Sequence, residues 1–168
     1  MTSMRSSTPD ERTPDERASK ERALNDQVRN KHELYVEVQQ FYARQAQLLD
    51  ARKLEGYAET FTEDAEFAHT PGCEPSRTRT GITADLYEFH KRFETDPVQR
   101  RHWFSMIDLE PQDDGSVHST FYALVATTRP GVREPEIAPS CLVHDVLVRE
   151  NGELHNRSRR VDHDQFLI

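Results

Sequence analysis

Cysteine and glycine are scarce in this sequence, and each shortage removes a class of protein. Two cysteines, Cys73 and Cys141, are too few for a disulfide framework and are expected as free thiols of a cytoplasmic protein. The six glycines form no phosphate-cradling loop, which argues against a bound nucleotide. No apolar run is long enough to span a bilayer, and no charged-then-apolar leader is present, so neither a membrane span nor a signal peptide is expected. Basic residues are outnumbered, 22 Lys and Arg against 30 Asp and Glu, and the net charge of −8 argues against general nucleic-acid binding. There is no GxSxG nucleophile elbow, no CxxC and no helical HxxxH. His144-Asp145 and Asp162-His163-Asp164 bring ligand types together, but neighbours on a strand point to opposite faces, and only Asp162 and Asp164 share one. No metal and no cofactor are expected.

What is present suits one folded domain in 168 residues. The first 23 residues hold the tandem pentamers Thr8–Arg12 and Thr13–Arg17 and almost no large apolar side chain, so they are expected as a disordered tail ahead of a domain over 24–168. Leu24, Val28, Tyr35, Val38, Tyr42 and Leu49 recur at helical spacing and predict a long amphipathic helix to about Ala51. A second short helix is expected from Lys53 to Phe61, with Asp50 available to cap it. A short strand over Ala65–His69, a loop to Arg79 and a third helix over Gly81–Phe93 follow. Four strands close the chain, at 100–110, 116–128, 140–150 and 153–163, with Gln112–Gly115 and Asn151-Gly152 as hairpin turns and a three-proline loop over Arg129–Pro139. That order predicts an α+β domain in which helices pack over the concave face of a curved antiparallel sheet, a cone whose interior is a pocket.

The strand Arg101–Glu110, read RHWFSMIDLE, organises the rest. It is apolar on both faces, with His102, Phe104 and Met106 on one and Trp103, Ser105, Ile107 and Leu109 on the other. A strand covered on both sides is expected, with helices on one face. The outer face is expected to meet a second copy of the chain in a homodimer.

The run Leu48–Phe67, with Arg79-Thr80-Gly81 before a helix, Arg101-His102-Trp103 on the next strand and Arg160-Val161-Asp162 near the end, resembles the nuclear-transport-factor-2-like, or SnoaL-like, superfamily over roughly residues 30–165. The resemblance implies the cone fold and a small-molecule pocket. Scytalone dehydratases in that superfamily use an aspartate ending the first helix and a histidine on the first meander strand, which correspond to Asp50 and His102, and a pocket residue corresponding to His69. The dehydratase's second histidine falls near Thr127 or Thr128, and the tyrosine beside its aspartate is replaced by Leu49. The ketosteroid isomerase tyrosine falls near Gln45, with Tyr42 a turn away.

On these grounds the expected site has His102, oriented by Asp50, as general acid or base, with His69 as a second proton-transfer group. Tyr42, Tyr57, His90 and Tyr122 are candidate hydrogen-bonding groups for substrate, Phe89, Phe104 and Met106 candidate walls, and Arg160 a candidate partner for a carboxylate or an anionic substrate. The expected function is a cofactor-independent dehydratase, cyclase or isomerase acting on an aromatic or polyketide-like intermediate. Two rivals remain. A non-catalytic assembly subunit, like those of ring-hydroxylating dioxygenases, would have a filled cone. An epoxide hydrolase would need an Asp-Arg-Asp set in the pocket.

Overall fold

A computed structural model describes residues 14–69 and 72–167. The chain divides into two compact units, one ending at Glu37 and the other running Val38–Ile168. Helix α1, Pro14–Asp50, crosses that boundary. It begins at Pro14 rather than Leu24, so the later part of the expected tail is helical. Proline suits a first helical turn, and the Glu, Arg, Ala and Lys residues that follow are good helix formers. Residues 1–13, with the first pentamer, lie outside the described residues. The stripe expected to be buried from Leu24 onward is not: Leu24, Val28 and Tyr35 are exposed, and burial starts at Val38.

In the second unit Val38, Tyr42, Gln45 and Ala46 are buried at helical spacing. The elements that follow are α2 (Leu54–Ala58), β1 (Phe61–Ala68), β2 (Ser76–Arg77), α3 (Thr78–His90), α4 (Arg92–Thr95), β3 (Gln99–Pro111), β4 (Val117–Thr128), β5 (Glu136–Glu150) and β6 (Glu153–His163). The curved sheet has the order β2-β1-β6-β5-β4-β3. β3 to β6 form the expected antiparallel meander, but β1 runs parallel to β6, so the sheet is mixed. β1 starts at Phe61 instead of Ala65, because Phe61, Ala65 and Phe67 all turn into the core with Tyr57 and Ile82. The expected loop to Arg79 contains the short β2, and β5 begins inside the proline-containing loop. Asn151 and Gly152 both have positive φ, 52° and 87°, as a two-residue type I′ hairpin requires. Among the described residues no helix is long and apolar enough to cross a membrane.

Two bulges decide which side chains face the core. The β3–β4 register breaks between Ser105 and Asp108, and Met106 takes a φ of 54° with 73% of its surface exposed. His102 and Phe104 face inward ahead of the break, and Ile107 and Leu109 lie half-buried beyond it, Leu109 opposite the buried Ser119. The expected alternation therefore fails after Ser105. Met106 leaves the inner face and Ile107 and Leu109 join it. The β5–β6 register breaks between Val146 and Leu147, so Asn156 and Arg159, three residues apart, are both buried. One inserted residue inverts every side chain after it.

Arg159 thereby enters the core. Its Nε and Nη2 donate to Asp145 Oδ1 and Oδ2 at 2.8 and 2.6 Å, Nη1 to the Tyr57 hydroxyl at 2.9 Å, and Nη2 also to Gln45 Oε1 at 2.8 Å. Tyr42, Phe61, Phe104 and Phe121 surround the guanidinium with ring centres 5.5–5.7 Å away. Burial works against its charge, but Asp145 outweighs that and the Arg159 pKa is raised. Removing one partner strands the other charge in the core. Asp145→Ala should therefore cost about 3–5 kcal/mol in urea unfolding, and the double change Asp145→Leu with Arg159→Met should cost less than that single one. An Asp145→Ala loss under about 1 kcal/mol would mean that the pair contributes no more than a surface ion pair.

Candidate active site

Strand β3 is an edge of the sheet, and its outward N–H groups need partners. Asp50, the last residue of α1, supplies one. Its Oδ1 and Oδ2 accept from the His102 backbone N–H at 3.2 and 3.3 Å, and Oδ1 lies 2.6 Å from His102 Nδ1. A carboxylate only accepts, so Nδ1 carries the hydrogen and Nε2 is left with its lone pair. Both side chains are about nine-tenths buried, with Arg101 Nη1 3.9 Å from Asp50 on the outer side. Asp50 does not cap the second helix, whose N-cap is Lys53. The short connection leaves the Asp50 carboxylate free to reach across to β3.

His102 opens on a cavity of about 380 Å³ between α3 and the sheet. Tyr57, Phe67, His69, Ile82, Phe89, His90, Arg92 and Arg100 are among its lining residues. His69, just past the end of β1, packs edge-on against Phe67, Phe89 and His163, with centroids 5.6–5.9 Å apart. Burial, reinforced by His163 and Arg100, pushes its pKa down to about 4, so it is neutral at pH 7. Burial also lowers the His102 pKa; the Asp50 hydrogen bond opposes this, and Arg100 adds to it. His90 is lowered by burial too, and its Nδ1 lies 2.8 Å from the Leu86 carbonyl.

The structure brings together Asp50, His102, His69, Tyr57, Phe89 and His90. Tyr42 and Phe104 lie behind the cavity wall, packed on Phe121 in the core, and Phe104 also packs against His102 at 6.1 Å. Three expected site residues are elsewhere. Met106 is expelled by its bulge. Tyr122 is 57% exposed, because its inward-facing neighbours on β4 are Phe121 and Ala123. Arg160 is exposed and pairs with Asp162 at 3.1 Å, its inward place being taken by Arg159. Arg100 went unnamed as a site residue, although it stands two residues before His102 and so shares its face.

Neutral histidines in the folded state tie stability to pH. An unfolded His69 titrates near the ordinary value of about 6.5 and binds a proton that the folded form refuses down to about 4. Its stabilising contribution is complete above pH 6.5 and is lost as pH falls toward 4, by at most about 3 kcal/mol. Guanidinium unfolding at pH 7.5 and 4.5 should show that acid loss, and His69→Phe should reduce it. An unchanged acid loss in the variant would place the titrating group elsewhere.

Comparison with other proteins identifies the family and the fold. Residues 30–160 match the family described as SnoaL-like domain. No curated protein matches the chain. Among solved structures, ActVI-ORFA from Streptomyces coelicolor is 53% identical over 79% of this chain and 98% of its own, with a TM-score of 0.75. A Catenulispora acidiphila protein in complex with S-DNPA is 48% identical over 81% of this chain and 97% of its own, with a TM-score of 0.74. Aln2 from a Streptomyces species is 39% identical over 80% of this chain and 94% of its own, also with a TM-score of 0.74.

Proposed function

The chain belongs to the SnoaL-like domain family, and from that premise we propose a cofactor-independent dehydratase or cyclase that moves protons on a small aromatic or polyketide-type intermediate. The observation that carries this reading is the Asp50–His102 pair, 2.6 Å apart, with His102 on the wall of an open cavity. His102 Nε2, with its lone pair free, takes a proton from the carbon beside a substrate carbonyl, and Asp50 stabilises the imidazolium that forms. His69, held neutral, retains an N–H that can polarise the carbonyl oxygen as the enolate develops. In a dehydration the imidazolium returns its proton to the departing hydroxyl, which leaves as water. In a cyclisation the enolate carbon attacks an electrophilic carbon within the same substrate, and the proton goes to the oxygen that gains charge. The S-DNPA complex of the Catenulispora relative supports a small-molecule ligand for this cavity.

The rival readings fit less well. An assembly subunit calls for a filled interior, whereas His69 and His102 here border open volume. An epoxide hydrolase calls for an arginine between two aspartates in the pocket, whereas Arg159 and Asp145 are sealed in the core and Arg160 is outside.

His102→Gln and Asp50→Asn should each lower kcat by about 10²–10⁴-fold on a panel of aromatic hydroxyketones, followed by loss of water in mass spectra. S-DNPA binding, measured by calorimetry, should survive both changes. Wild-type turnover in either variant would contradict the mechanism.

The proposal extends to a homodimer through the outer sheet face, where Trp103, Tyr122, Leu124 and Ile137 remain exposed. Light scattering should give twice the chain mass for the wild type and the single mass for Trp103→Glu; a monomeric wild type would refute it.

A further inference from the structure

Arg100 is an arginine without an oxygen. It is half-buried on β3, and its guanidinium meets only ring faces, Phe89 at 5.3 Å and Phe93 at 5.6 Å from their centres. No described residue gives that guanidinium a hydrogen bond or an ion pair. Arginines around it are served. Arg52 donates to the Val98 carbonyl at 3.1 Å, Arg92 to the Phe89 carbonyl at 3.0 Å, and Arg129 to Asp96 at 3.1 Å. Asp50 is engaged by His102. Of the three acidic residues lining the cavity, Asp85 accepts from Ser76, Glu88 pairs with Lys91, and Glu74 is exposed to solvent and pairs with no described residue, Arg100 included. A partly dehydrated guanidinium facing open volume, with Arg92 beside it and neutral histidines around it, is a positive site awaiting an acceptor.

We infer that Arg100 anchors a carboxylate carried by the molecule that fills the cavity. The planar fork of a guanidinium matches a carboxylate bidentately, and the aromatic faces of Phe89 and Phe93 hold that fork in place. Arg100 and His102 are two residues apart on one strand face, a spacing of about 7 Å. The substrate class is therefore an aromatic or polyketide-type acid whose carboxylate lies a few bonds from the carbon that His102 deprotonates. This rests on the proposed proton-transfer site and adds to it the charge and the polarity with which substrate enters.

The test is calorimetric binding of 2-naphthylacetic acid and its neutral amide to the full chain at pH 7.5. Wild type should bind the acid about tenfold or more tightly than the amide. Arg100→Met should abolish that preference while keeping amide affinity and melting temperature, and Arg100→Lys should retain part of it. Arg92→Ala should leave the preference in place. Equal affinities in the wild type, or a preference that survives Arg100→Met, would overturn the anchor while leaving the cavity and its acid–base pair standing. Failure to bind either ligand would overturn the anchor together with the open-cavity reading.

Discussion

The buried Arg159–Asp145 pair is the constraint on which the rest of the second unit depends. A guanidinium sealed among four aromatic rings is tolerable only with its donors satisfied, and it takes those partners from β5, α1 and α2 at once. Gln45 then passes the network to Thr60 and Asn156 at 2.7 and 2.9 Å. The Val38–Asp50 part of α1 is thus held on the sheet by polar contacts as well as by packing. Because α1 ends at Asp50, those contacts also decide where the Asp50 carboxylate stands. Tyr57, held by Arg159, lines the cavity, and Phe104, packed against the same guanidinium, supports His102 from behind.

The site and the core solve opposite electrostatic problems. In the core a permanent charge is kept by pairing it. In the cavity charge is mostly refused: His69 and His102 are driven toward their neutral forms by burial and by the arginine near them. A neutral imidazole with one nitrogen fixed by a carboxylate is a competent base at neutral pH, whereas a protonated one would not be. Arg100 helps to hold His102 neutral, and its own missing partner leaves room for a negative substrate.

The elements were largely legible in the sequence, because helical and strand periodicities and the Asn-Gly turn are local signals. Asp50 and His102 could be paired only through the family resemblance, since residues 52 apart in sequence show no local sign of meeting. What failed was parity. Met106 is placed inward by strict alternation and lies in a one-residue bulge set by pairing with β4, while Arg160, a candidate partner for a carboxylate, follows a second bulge beyond which Arg159 is the residue that turns inward. Tyr122 was misplaced for a related reason: without the register of β4, no pattern told its face from that of Phe121. The β1–β6 parallel pair is likewise non-local. Arg100 was within reach, two residues from His102, but strand arginines are usually solvated, and its lack of a partner is visible only in three dimensions.

The most direct test of the acid–base site is the protonation state of His102 itself, read from imidazole nitrogen shifts in an NMR titration of the labelled protein. The account predicts a tautomer with hydrogen on Nδ1, a bare Nε2 at pH 7, and a midpoint below the ordinary histidine value of about 6.5. A hydrogen on Nε2, or an imidazolium persisting above pH 7, would contradict it.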